Sequence, residues 1–353
     1  MSTISAGKLW GLRRLSDSRG RFKMTAVDQR PPIKNYIKSR RGVDEAPYDD
    51  VAAVKAVLVR ELAPYASAVL LDPHVAYPQT IQFVNPAQGL ILTLEDSLFQ
   101  ETPEGRVSSE IDHWSVEKIK RTGADAVKVL AWYRPDAGTS VKDRQKDFVR
   151  RIGNACRIYD IPFVFELLVY PLKGDVHQTK DYVEHKDKQP DLVLQSVADF
   201  AAPEFGIDVF KLESPVPAAA IADPQTGNPR IVGETQALFD ELGRLAGRPW
   251  VMLSAGAGMA EFKRVLTYAY RAGASGYLAG RAIWWQAFQS FPDLDAMAAE
   301  LRNSGVSYME DINRLTDEGA VPWFTNPAIG GAAEISGKGA EFRNGYAGFG
   351  KAA

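Results

Sequence analysis

A lysine sits inside an apolar segment short enough to be a buried strand, Ile207-Asp208-Val209-Phe210-Lys211-Leu212-Glu213, bounded by Gly206 and Pro215. Burying an ammonium is costly and lowers its proton affinity, towards the range in which a neutral amine attacks a carbonyl. Lys211 is therefore a Schiff-base candidate, although a lysine that reaches solvent or pairs with Glu213 would explain it taken alone. Three more titratable residues stand in or at the end of similar apolar segments: Asp28 after Ala26-Val27, Lys128 in Ala126-Val127-Lys128-Val129-Leu130, and Glu166 in Phe163-Val164-Phe165-Glu166-Leu167-Leu168. Each has an ordinary reading as a turn cap or a structural ion pair, and Lys128 with Glu166 would make such a pair. Together they form a set that carbonyl activation by an amine requires. A second cation at Lys128 lowers the proton affinity of the attacking lysine. A carboxylate at Glu166 moves protons to the carbinolamine and off the adjacent carbon, and Asp28 holds a hydroxyl or orients an amine.

Those residues converge only if their segments lie side by side. Short apolar or β-branched segments recur at 22–28, 68–72, 89–94, 125–130, 162–168, 208–213, 250–255 and 275–279. Amphipathic stretches of helical period separate most of them, clearest at 48–62, 114–121, 144–157, 192–202, 236–246 and 261–272. Gly123 and Gly273 mark helix ends before new strands. Repeated strand-then-helix order means a parallel sheet, and eight units in about 260 residues suit a closed (β/α)₈ TIM barrel of the α/β class. The stretch between the second and third strands fits least, since Pro73, Pro78 and Pro86 break any helical period. Residues 1–320 read as one barrel domain and 321–353 as a Gly-rich tail, mobile or dependent on a partner for order.

Sites in such barrels lie at the carboxyl ends of the strands. Leu253-Ser254-Ala255-Gly256 and Leu278-Ala279-Gly280-Arg281 follow the seventh and eighth strands, where backbone amides and an arginine fork suit a phosphate. At 353 residues, with 45% hydrophobic and 24% charged side chains and a net charge of -2, the chain has core enough for one large domain and no global basic field for nucleic acid. Its apolar runs are too short for a bilayer, and Lys8 to Arg14 lacks the apolar block of a secretory signal, so a cytoplasmic location is expected. The single cysteine, Cys156, falls in register with Phe148 and Ile152 on an apolar helical face and reads as core. The Trp284-Trp285 pair reads as core packing or as a contact between copies in a homo-oligomer.

In sequence order, Val27-Asp28-Gln29-Arg30, Leu62-Ala63-Pro64-Tyr65-Ala66-Ser67, Leu70-Leu71-Asp72-Pro73, Gly123-Ala124-Asp125-Ala126-Val127-Lys128, Pro162 to Leu167, Gly206 to Lys211, Leu253 to Gly256 and Gly280-Arg281-Ala282 resemble the class I tagatose-1,6-bisphosphate aldolase family over roughly residues 24–285. The resemblance implies a cofactor-independent, metal-free Schiff-base reaction. In it Lys211 forms the imine, Glu166 transfers protons, and Lys128 and Asp28 assist. Ser254, Ala255, Gly256, Gly280 and Arg281 would hold a substrate phosphate, with Gln29 and Arg30 near the substrate. The implied substrate is a phosphorylated ketose, D-tagatose 1,6-bisphosphate or, as in a close relative, 6-deoxy-6-sulfofructose 1-phosphate. Segment 170–188, the Pro-rich stretch after Asp72 and the tail depart from the family pattern. Two other readings compete: a metal-dependent aldolase, for which His74, His113, His177 and His185 are too scattered, and a non-catalytic sugar-phosphate sensor that binds without turnover.

Overall fold

In a computed structural model the structure describes residues 3–172, 185, 188–329 and 334–348. Eight parallel strands close into a barrel in chain order: β1 (Phe22–Ala26), β2 (Ala68–Leu71), β3 (Gly89–Thr93), β4 (Ala126–Trp132), β5 (Phe163–Leu168), β6 (Val209–Leu212), β7 (Trp250–Met252) and β8 (Gly276–Ala279). All eight segments picked out by their apolar runs are strands, and β8 pairs with β1 to complete the (β/α)₈ architecture. At that seam a Cβ on Gly276 would lie 1.9 Å from the Phe22 carbonyl oxygen, so only glycine lets the two strands meet.

Side chains of period two divide the strands between two cores. Met24, Ala26, Leu70, Ile91, Ala126, Val164, Val209, Val251 and Leu278 fill the barrel interior. Their neighbours Val27, Leu71, Leu92, Val127, Phe165, Phe210 and Met252 face the helical layer. That layer begins with α1 (Ala6–Leu15), which lies under the barrel: Leu12 and Leu15 join the interior cluster, while Lys8 pairs with Asp208 at 2.8 Å and Arg14 with Asp125 at 3.2 Å. After β1 come α2 (Pro31–Arg41) and α3 (Tyr48–Leu62). Between β2 and β3 the chain forms only the five-residue α4 (Ala76–Thr80) and one tight turn, as its prolines dictate.

The remaining crossovers are α5 (Val116–Arg121), α6 (Thr139–Ile158), α7 (Pro190–Phe200), α8 (Pro229–Ala246) and α9 (Met259–Arg271). They are followed by α10 (Arg281–Phe288), α11 (Leu294–Glu300) and α12 (Val306–Gly319). Cys156 is fully buried on α6, and Trp284 is fully buried on α10, its indole N–H donating to the Ala26 carbonyl at 3.0 Å. Beyond α12, Trp323 packs into the interior cluster beside Leu12 and Leu15 and donates to Ser16 Oγ at 3.1 Å. Glu334–Ile335 pairs in parallel with Thr3–Ile4. No helix among the described residues is long and apolar enough to cross a membrane.

Candidate active site

The period-two rule puts one layer of charge directly above the apolar interior. Two residues beyond Ala26, Ala126, Val164 and Val209, on the same inward rows, stand Asp28, Lys128, Glu166 and Lys211. All four are buried, and all four line one pocket at the carboxyl ends of the strands. Glu166 and Lys211 are register partners on β5 and β6, which sets their side chains next to each other. Glu166 Oε2 lies 2.9 Å from Lys211 Nζ and 2.7 Å from Lys128 Nζ, and Lys128 Nζ lies 3.1 Å from Asp28 Oδ2. The four residues singled out in sequence therefore form one continuous chain of ion pairs, Lys211 to Glu166 to Lys128 to Asp28.

A fifth member has no counterpart in the sequence reading. Glu95, 1% exposed, reaches Lys128 Nζ with Oε1 at 2.7 Å, while its Oε2 accepts from Thr93 Oγ at 2.5 Å. Its backbone carbonyl accepts both terminal nitrogens of the Arg30 guanidinium at 3.1 Å. Lys128 thus holds three carboxylates, whose proximity offsets the cost of burying its ammonium. Glu213 is taken by Lys188 at 3.0 Å and by the Val169 N–H at 2.7 Å. His177 and most of segment 170–188 lie outside the described residues. Among the described residues no three His, Cys, Asp or Glu side chains gather as metal ligands.

Burial alone would raise the proton affinity of these carboxylates, but the cations outweigh it. Asp28 is held down to about 2 by Lys128, Lys211 and Arg30 against its desolvation, and Glu166 is lowered by Lys128 and Lys211 in the same way. Because the folded value of Asp28 lies below the ordinary carboxylate value near 3.9, its ionised form stabilises the fold fully above about pH 4, and that contribution is lost as pH falls through about 2. Its size is about 2 kcal/mol. Denaturant unfolding of wild type and Asp28→Asn between pH 2 and 6 should give a stability gap that is constant above pH 4 and closes towards pH 2. A gap independent of pH would mean that the lysines do not hold this carboxylate.

The pocket wall continues through Gln29, Arg30, Ser254, Ala255, Gly280 and Arg281, and also Ser97, Leu168, Leu253 and Leu278. Gln29 Oε1 is buried without a hydrogen-bond partner among the described residues, an acceptor left open at the pocket. Ala255 and Gly256 follow one another at φ 47° and 85°, turning the backbone after β7. The Arg281 guanidinium lies over Gly256, where a Cβ would stand 3.3 Å from one of its nitrogens. Gly256 itself lines an adjoining hollow with Tyr36, Trp285 and Arg281. Two glycine-rich turns and one arginine therefore face a buried lysine–carboxylate network across one pocket, an arrangement suited to fixing an anionic group beside a carbonyl.

Comparison with known proteins places the chain among aldolases. Residues 22–286 match the DeoC/LacD family aldolase model. The chain is 34% identical over 330 residues to a tagatose 1,6-diphosphate aldolase of Listeria monocytogenes, covering 92% of this chain and 96% of that protein. It is 31% identical to tagatose 1,6-diphosphate aldolase 1 of Enterococcus faecalis over 92% and 99% of the two chains. In fold it resembles an archaeal fructose-1,6-bisphosphate aldolase solved with its catalytic lysine covalently bound to a carbinolamine, with a TM-score of 0.55 at 19% identity over 87% of this chain and 98% of that one.

Proposed function

The chain belongs to the DeoC/LacD aldolase family and is a carbon–carbon lyase, and on that premise we propose that it cleaves D-tagatose 1,6-bisphosphate reversibly to dihydroxyacetone phosphate and glyceraldehyde 3-phosphate through an imine on Lys211. The observation that carries this reading is the 2.9 Å contact between Lys211 Nζ and Glu166 Oε2, a nucleophile and a proton acceptor in hydrogen-bond reach inside a pocket.

Glu166 takes a proton from the Lys211 ammonium, and the freed amine attacks C2 of the open-chain ketose. The carbinolamine formed is neutral, so at that stage Glu166 has lost one of its two cations and binds its proton more tightly, as a general acid must. Loss of water, with the proton returned to the departing hydroxyl, leaves a protonated imine. Glu166 then removes the proton of the C4 hydroxyl, the C3–C4 bond breaks, and its electron pair flows into the imine to give an enamine while glyceraldehyde 3-phosphate departs. Protonation at C3 and hydrolysis release dihydroxyacetone phosphate and restore Lys211. Lys128 fixes Glu166 and Asp28, and Asp28 orients a substrate hydroxyl.

Ser254, the amides of Ala255 and Gly256, Gly280 and Arg281 take the C1 phosphate. That places C2 beside β6 and sends the rest of the sugar across the pocket towards Gln29, Arg30 and Ser97. The open Gln29 acceptor takes a sugar hydroxyl. The reaction is assigned to the cytoplasm, with residues 1–320 as the catalytic barrel, 321–353 as a tail anchored to the barrel at Trp323, and a homo-oligomer as the working form.

A coupled assay for dihydroxyacetone phosphate release tests the reading against D-tagatose 1,6-bisphosphate, its 6-deoxy-6-sulfo analogue and the 1-phosphate alone. The bisphosphate should have the highest kcat/KM. Binding of all three with release from none would replace the enzyme by a sensor. In the same assay Arg281→Met should raise KM about tenfold or more with kcat changed less, the loss of one charge-assisted contact to phosphate. An unchanged KM would remove Arg281 from the phosphate site.

A further inference from the structure

A second buried ion pair lies outside the pocket and touches no substrate in the mechanism above. Lys55, on α3, has no exposed surface, and its ammonium is paired with the carboxylate of Asp72, equally buried, just beyond β2. The same ammonium donates to the Val27 carbonyl at 2.9 Å. Asp72 has further duties: Oδ1 accepts the N–H groups of His74 at 3.0 Å and Val75 at 2.9 Å, which fixes the loop that leaves β2. The Val27 N–H donates to the Leu70 carbonyl at 2.9 Å, so both polar groups of Val27 are held, one by β2 and one by Lys55.

Val27 directly precedes Asp28, and its carbonyl belongs to the peptide plane from which Asp28 departs. At this point β1 has ended, since its last strand residue is Ala26, and the Val27 N–H makes the last backbone bond to β2 before the chain turns away. Helix α2 begins only after Arg30. Lys55 supplies the constraint that the sheet no longer gives. An apolar residue would fill the same volume without it, and an ion pair sealed from water is a poor way to gain stability alone, because desolvation offsets its attraction. Its geometric effect is specific: it ties the ends of β1 and β2 to α3 at the one peptide that aims Asp28 at Lys128.

We infer that Lys55 and Asp72 are a positioning pair for Asp28, holding the end of β1 so that its carboxylate stays on Lys128 during the reaction. A displacement of the order of 1 Å at a catalytic group costs up to about 100-fold in rate. The inference rests on the role proposed for Asp28, so its test includes a reading of geometry that does not depend on the reaction.

Lys55→Met/Asp72→Asn removes both charges, nearly keeps the volumes, and leaves an acceptor for the His74 and Val75 N–H groups. The double variant should melt near wild type, lose roughly tenfold or more in kcat with KM little changed, and show Asp28 drawn away from Lys128 in a crystal structure. On an Asp28→Asn background, the same two substitutions should cost no further activity, as expected of groups that act through one residue. Wild-type kcat, additive losses, or an Asp28–Lys128 contact kept at 3.1 Å would each overturn the inference. Asp72→Asn alone, which keeps one acceptor oxygen for the His74 and Val75 N–H groups and takes the carboxylate away from Lys55, serves with the same expectations where the double variant does not fold. An Asp28 displaced in the crystal of a variant from an enzyme that forms no imine would contradict the proposed reaction and leave the positioning standing.

Discussion

Replacing Lys211 with methionine is expected to lower kcat/KM by about 10⁵-fold or more while leaving the protein folded and able to bind the bisphosphate, because it removes the nucleophile and nothing that anchors phosphate. Methionine nearly fills the volume of the lysine stem in a site that is 4% exposed, so no large cavity opens. Glu166 keeps Lys128 at 2.7 Å, so its carboxylate is not left buried without a cation. The result is read from steady-state rates beside an equilibrium binding titration. A variant that retains activity within tenfold would show that another group activates the carbonyl. Lys128 is the wrong candidate on geometric grounds, since three carboxylates hold it.

Glu166→Gln is expected to lower kcat by about 10²- to 10⁴-fold, the usual worth of a positioned acid–base group, with KM changed far less. The amide keeps the shape and one acceptor between the two lysines but cannot carry the proton from carbinolamine to water or from the C4 hydroxyl. Loss of the carboxylate also places Lys128 and Lys211 closer in electrostatic terms, since the negative charge between them is gone. Imine formation should therefore become slow but remain measurable on a long time scale, and that separates Glu166 from Lys211. A kcat within threefold of wild type would leave Glu166 as a structural counter-charge and hand proton transfer to another group, of which Asp28 and Glu95 are the carboxylates on the same chain of contacts.

How much of this was legible in the sequence follows from where each charge sits. Lys128, Glu166 and Lys211 interrupt apolar runs, and a charge in a run of that kind announces itself; Asp28 follows one directly. Each also lies two residues past an apolar inward position, so a single parity rule gathers them once the strands are seen to be parallel and closed. Glu95 follows the same parity from Ile91 and Thr93, yet it stands beyond the end of its apolar run and is followed by Asp96 and Ser97. That pattern reads as a solvated acidic turn. Only counting in twos from Ile91 would have turned it inward.

Lys55 was concealed differently, inside a helix whose boundaries the periodicity marked correctly. It stands four residues after Val51 and three before Leu58, on the buried stripe, where a lysine is out of place and signals a partner. The partner, Asp72, is 17 positions away and becomes its neighbour only when α3 packs on β2. The amino-terminal helix α1 and the helix α2, with Pro31-Pro32 and a basic second half, carry too little apolar period to be found in sequence. Their places are decided by the open floor of the barrel and by the loop that leaves β1.

An imine on Lys211 is covalent, and it is read most directly from the intact mass of the protein after incubation with dihydroxyacetone phosphate and borohydride, which reduces an imine to a stable secondary amine. Wild type and Lys128→Ala should each gain one reduced three-carbon phosphate adduct, slowly in the variant, with peptide mapping placing it on Lys211; Lys211→Met should gain none. An unmodified wild-type protein that nonetheless binds dihydroxyacetone phosphate, or an adduct that maps to any lysine other than Lys211, would contradict the account.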